Sequence, residues 1–149
     1  YANWKRIEKV IPYTDLFISD IKIMDRHAHK FHTGVDNRKI LRNIKLLVDS
    51  GKPLILRIPV IPSINDDFSN IKETADFIET ELNGKIIVLQ LLSFMRLGEE
   101  KYASLGLNYN MNSLSFDRVK FQNRVNEIAK YFNQRGIYCS VGTKNHEST

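Results

Sequence analysis

Four places in this sequence of 149 residues carry side chains whose types and spacing suit binding chemistry. Asp20 and Lys22 close the segment D-L-F-I-S-D-I-K, and Arg57 lies within L-I-L-R-I-P-V-I-P. Asn65-Asp66 follow that run, and Met95-Arg96 end L-Q-L-L-S-F-M-R. A lysine and an arginine converging on one edge bind a carboxylate or phosphate, while a nearby aspartate accepts from hydroxyls or an amine, or helps hold a cation. A plainer reading stands beside this one: Asp20 and Lys22, two apart on one face of a strand, make an ordinary ion pair.

Other reactive side chains read as structural. His27, His29 and His32 crowd one short segment, but on a helix only His29 and His32 share a face, and no Cys or acid completes a tetrahedral zinc set. They read as polar residues on a short, wet helix, with His146 solvated in a polar tail. Cys139, between Tyr138 and Ser140, reads as a small buried hydrophobe. As the single cysteine, it leaves this chain alone with no disulfide and no way to hold an iron–sulfur cluster. P-loop, G-x-G-x-x-G and G-x-S-x-G signatures are absent.

The composition, 42% hydrophobic and 26% charged, is that of one folded soluble domain with a sizeable core. The net charge of +5 forms no long basic run. Lys and Arg alternate with acids along amphipathic helices, which argues for solvated faces and against nucleic acid as partner. The longest apolar stretch, Ile86 to Met95, is interrupted by Gln90 and falls far short of the ~20 residues that span a bilayer. The opening Y-A-N-W-K-R-I-E-K-V reads as neither a secretory signal nor a natural N-terminus, so further chain is expected upstream.

The elements that position these residues follow from period. A helix over 3–11 puts Trp4, Ile7 and Ile11 on one face and stops at Pro12. Asp15 to Lys22 reads as a strand, Asp25 caps a short helix, and Asn37 caps a helix with the stripe Ile40, Leu41, Ile44, Leu47 and Val48. Residues 54–62, a continuous apolar run with one arginine, suit a strand covered on both faces, with Pro59 and Pro62 ending its ladder. A helix from Ser69 or Asn70 to Leu82, with Asn70 and Glu73 as capping box, leads to a strand from Lys85 to Phe94. A helix over 116–135 and a strand over 137–141 complete the order α β α β α β α β. That order predicts an α/β fold in one unit, 1–149, with parallel strands, crossover helices and the ligand site at the C-terminal strand ends.

D-L-F-I-S-D-I-K, F-H-T-G-V-D-N, G-K-P-L-I-L-R-I-P-V-I-P-S-I-N-D-D and L-Q-L-L-S-F-M-R-L-G-E-E-K-Y-A-S-L-G, in this order and spacing, resemble the C-terminal part of the glycyl-radical-enzyme activating enzymes. These are radical S-adenosylmethionine proteins typified by pyruvate formate-lyase activating enzyme. The resemblance implies the C-terminal half of a partial, TIM-like (β/α) barrel of six strands, open where a glycyl-radical partner inserts a loop. It implies S-adenosylmethionine and, in the full-length parent only, a [4Fe–4S] cluster held by an upstream C-x-x-x-C-x-x-C. A flavodoxin or ferredoxin-type reductant, a cytoplasmic location and no membrane partner are implied as well.

Residue by residue, the resemblance has Lys22 pair with the methionyl carboxylate, while Asp20 helps bind the cofactor and, with the backbone of Ile18, a monovalent cation. Arg57 reaches the cofactor, and Pro59 stands beside it. Met95 occupies the place of a family histidine and packs on the adenine through its thioether, and Ser63 replaces a turn glycine. By this reading the chain alone is inactive, binds S-adenosylmethionine weakly, exposes apolar surface on its first strand and helix 3–11, and self-associates through that edge. The rival reading is a non-catalytic α/β docking module that uses the open edge and the loop from Leu97 to Asn110.

Overall fold

Leu54, Leu56, Ile58 and Val60 are buried while Ile55, Arg57 and Pro59 between them are half-exposed. That period of two belongs to a strand with unlike faces, not one covered on both sides as the apolar run suggested. The computed structural model describes residues 1–95, 103–106 and 114–142. Along it run α1 (Trp4–Ile7), a 3-10 turn (Ile11–Tyr13), β1 (Phe17–Asp20), α2 (Arg26–Thr33) and α3 (Arg38–Asp49). Then come β2 (Leu54–Val60), α4 (Phe68–Asp76) running on into a π turn (Phe77–Glu81), β3 (Val88–Ser93), α5 (Arg118–Gln134) and β4 (Cys139–Val141). The four strands form one parallel sheet in the order β1-β2-β3-β4, the α/β architecture expected from the alternating elements.

The core lies on one face of that sheet. Leu54, Leu56, Ile58, Val60, Leu89, Leu91 and Cys139 pack with the α3 stripe of Ile44, Leu47 and Val48, with Ile71, Ala75 and Ile78, and with Phe121, Val125 and Phe132 of α5. Side chains of the other face, Ile18, Ile55, Arg57 and Pro59, stand outside this cluster. Arg135, just past α5, closes the helical layer by binding Glu79 and Asp76, with Nε 2.9 Å from Glu79 Oε1 and Nη2 2.8 Å from Asp76 Oδ1. Among the described residues no helix is long and apolar enough to cross a membrane.

Several local expectations change for identifiable reasons. The helix over 3–11 is one turn followed by a 3-10 turn that contains Pro12, because proline is tolerated where the first N–H groups lack partners anyway. Trp4, Ile7 and Ile11 are partly buried against the core, whereas Val10 in the same segment is 49% exposed and Ile18 on the edge strand β1 is 51% exposed. Pro59 does not end the ladder. Arg57 O accepts from Ile21 N, so alternation turns the edge where Pro59 lacks an N–H toward β1, which has ended by then, and β2 runs on to Val60.

The caps divide. Asp25 caps α2 by accepting from Ala28 N, as expected. Asn37 makes no side-chain cap on α3, and α4 starts at Phe68 with Asp67 as its cap, not Asn70. His29 is not a solvated helix residue: it is buried, with Nδ1 2.7 Å from Val35 O and 3.0 Å from Thr33 Oγ1, while His27 and His32 are exposed.

Candidate functional site

The sheet register sets Asp20 opposite Arg57, Arg57 opposite Gln90, and Gln90 opposite Ser140. Paired residues of parallel strands point to the same side, so these four side chains form one polar row across the face away from the core. A row of Ile18, Ile55 and Val88 lies one step toward the strand N-termini, and Pro59 with Leu92 one step toward the C-termini.

The charged half of the row is joined. Arg57 donates from Nε to Asp20 Oδ1 at 3.0 Å, and Lys22 Nζ stands 3.5 Å from Asp20 Oδ2. Both readings of Asp20 and Lys22 meet here, since the ordinary ion pair is made and the arginine converges on it. The cluster carries two cations against one anion and is part-exposed, with side-chain accessibilities of 31% for Asp20, 34% for Arg57 and 47% for Lys22. Arg57 spends Nε on Asp20, and among the described residues its Nη groups make no further hydrogen bond. Lys22 and Pro59 also line a cavity of about 290 Å³ with Ile61, Ile64, His32 and Asn65.

Asn65 and Asp66 serve the backbone. Buried Asn65 donates from Nδ2 to Lys22 O and Pro59 O, both at 2.8 Å, and its Oδ1 accepts from Ile61 N at 2.7 Å, which stitches together the ends of β1 and β2. Asp66 Oδ1 accepts from Ser63 N, holding Ser63 at φ 60, the left-handed conformation a turn glycine would adopt. Asn37 donates to Ile23 O and Met24 O, while Asn70 accepts from Met24 N and donates to Asn65 O. Three buried asparagines thus fix the backbone beside Lys22. Spacing alone conceals this role, because their partners lie 13, 14, 43 and 46 residues away.

Met95 does not join the row. It is 65% exposed and lines a separate cavity of about 600 Å³ with Ser93, Phe94, Phe116, Arg118 and Gln122. Arg96, His146 and most of the loop from Leu97 to Asn110 lie outside the described residues. Gln90 and Ser140 are the members that the sequence reading passed over; the sign of one was a lone amide in an apolar strand.

The donor set fits part of what the resemblance implies. A half-exposed arginine and lysine flanking a carboxylate match a zwitterionic ligand such as the methionyl end of S-adenosylmethionine. An iron–sulfur cluster does not fit. Cys139 lies in the core, where burial pushes its thiol up to about 12, and among the described residues no group of three His, Cys, Asp or Glu could hold a metal.

No family model matches the chain. It is 58% identical over 144 residues to the (2S)-3-sulfopropanediol dehydratase activating enzyme of Klebsiella oxytoca, an alignment covering 97% of this chain and 45% of that protein. It is 37% identical over 137 residues to the 4-hydroxyphenylacetate decarboxylase activating enzyme of Clostridioides difficile, covering 90% and 41%. The chain therefore spans a little under half the length of these curated relatives. Its fold matches the crystal structure of a domain of pyruvate-formate lyase-activating enzyme from Bacteroides vulgatus, with a TM-score of 0.70 and 22% identity over 93% of this chain and 73% of that one. An α/β sheet with a polar row on the face away from the core, and homologues named for one kind of task, converge: the chain is homologous to the glycyl-radical-enzyme activating enzymes.

Proposed function

We propose that this chain is the C-terminal part of a radical S-adenosylmethionine activase that generates a glycyl radical on a partner enzyme, and that its polar row supplies part of the cofactor site. When bound, S-adenosylmethionine supplies the radical that removes hydrogen from the partner's glycine. The chain's own share is binding and orientation. Lys22 and the Nη groups of Arg57 take the carboxylate, Asp20 holds Arg57 and accepts from the ligand's amine or hydroxyls, and Pro59 offers apolar contact. The cluster ligands are expected outside this chain, and the chain alone is expected to be inactive. A monovalent cation at Asp20 and the Ile18 backbone would have to displace Lys22 from Asp20 Oδ2.

The carrying observation is the bond from Arg57 Nε to Asp20, with both Nη groups left over among the described residues. The 58% identity to a sulfopropanediol dehydratase activator supports a partner of that kind within the broader pyruvate formate-lyase-like class, served by a flavodoxin or ferredoxin-type reductant. Calorimetry of S-adenosylmethionine binding to the full-length protein tests the reading. Arg57→Met and Lys22→Met are each expected to weaken binding about ten-fold, one charge-assisted hydrogen bond's worth. Affinities equal to wild type in both variants would overturn it.

A further inference from the structure

Asn83 is the one asparagine in the sequence that a glycine follows. In such a pair the glycine nitrogen, with no Cβ beside it, reaches the asparagine side-chain carbonyl more readily than the nitrogen of any other residue would. The pair lies just past the π turn that ends α4, before β3, and both residues are exposed. Its two reacting groups are held very differently. Among the described residues the Asn83 side chain makes no hydrogen bond, so its amide lies open to water. Gly84 N donates to Ile78 O at 2.9 Å, and Lys85 N donates to Leu82 O at 2.9 Å. Asn83 at φ 51 and Gly84 at φ 67 hold the left-handed turn that makes this closure of the helix end. The electrophile is free and the nucleophile is not.

We propose that Asn83–Gly84 is a latent modification site, a pair that forms a succinimide when this helix end opens and stays unreactive while Gly84 N–H is bonded to Ile78 O. A bonded N–H is shielded from base and fixed in direction, so reaction waits on local opening. In the open chain Gly84 N gives its proton to solvent and attacks Asn83 Cγ. The new C–N bond forms, the bond from Cγ to Nδ2 breaks, and the side-chain nitrogen leaves as ammonia. Water then opens the ring. Breaking the bond from Gly84 N to Cγ yields aspartate, and breaking the bond from Gly84 N to the main-chain carbonyl carbon of residue 83 yields isoaspartate. Nothing is oxidised or reduced, and water is the co-reactant. Either product lowers the net charge of +5 by one. Isoaspartate also lengthens the main chain by one carbon between buried Leu82 and Ile87, whose N donates to Leu54 O at 2.8 Å where β2 and β3 begin to pair. The site lies at the opposite end of β3 from Ser93, away from the polar row, and stands independently of the cofactor reading.

The test follows the tryptic peptide 73–85 of the full-length protein by mass spectrometry during incubation at mildly alkaline pH, once native and once in denaturing urea. Asn83→Gln, whose longer side chain would have to close a less favourable six-membered ring, assigns the signal by its loss. The unfolded chain is expected to gain the acid at residue 83, and the native protein to do so at least about ten-fold more slowly, as reaction through a minor open state requires. Hydrogen exchange at the Gly84 amide, measured across the same low urea concentrations, is expected to rise in step with the native rate of modification. Equal rates in native and unfolded protein would overturn the proposal, as would the absence of modification in both. A native rate that follows global unfolding instead of Gly84 exchange would overturn it as well.

Discussion

Arg57 and Asp20 stand at one register position of neighbouring strands and bond there at 3.0 Å. Their pairing is a property of the sheet, because backbone hydrogen bonds between β1 and β2 set both Cα positions before either side chain chooses a rotamer. Both groups are about one-third exposed. Water therefore screens the pair, and it contributes little to the fold.

Arg57→Met should then separate stability from binding. The unfolding free energy is expected to change by less than about 1 kcal/mol, as for other partly exposed pairs, while S-adenosylmethionine affinity drops. Urea denaturation alongside calorimetry checks both, and a large loss of stability would mean the arginine is chiefly structural.

Asn65→Ala should do the reverse. It removes three hydrogen bonds that end on Lys22 O, Pro59 O and Ile61 N in a buried setting. The expected cost is about 2–4 kcal/mol, since bonds are lost and buried backbone groups are left without partners. An unchanged denaturation midpoint would show that water replaces the amide.

Ser63→Gly should stabilise. Ser63 holds φ 60, a conformation that costs an L-residue about 1–2 kcal/mol, part of which glycine returns in backbone entropy. A net gain of roughly 0.5–1 kcal/mol is expected, read as a rise in thermal midpoint. A fall would show that the Ser63 side chain contributes more than its backbone costs.

Cys139 sets an alkaline limit. Desolvation raises its folded pKa from 9.0 to about 12, so above pH 9 the unfolded thiol ionises while the native one does not. Its contribution to stability is complete below about 9 and declines as pH rises from there toward 12. Native protein should react slowly with a thiol reagent at pH 8 and quickly once denatured, and Cys139→Ala should flatten the alkaline fall in stability. Fast labelling of native protein would contradict the burial argument.

The sequence carries much of this plainly, and what it hides has one cause. Ile44, Leu47 and Val48 announce their helix through local spacing, and Asp20, Lys22 and Arg57 declare themselves as charges in apolar strands. Gln90 and Ser140 are 50 positions apart, and their adjacency depends on β4 pairing with β3, which no local pattern encodes. Asn37 and Asn70 look like caps because a cap is the nearest use for an asparagine beside a helix. Tertiary carbonyls and amides outbid the helix ends for their side chains. Arg57 also makes β2 look continuous, since its charge reads as an exception within an apolar run when it is one member of a half-exposed face.

The asparagines at the ends of β1 and β2 separate frame from function. Their amides grip main-chain atoms, whereas among the described residues the side chains of Asp20, Lys22 and Arg57 grip one another. Substitutions among the asparagines should consequently cost more stability than substitutions among the part-exposed charges. Evolution can then alter the front of this rim one side chain at a time, without renegotiating the support behind it.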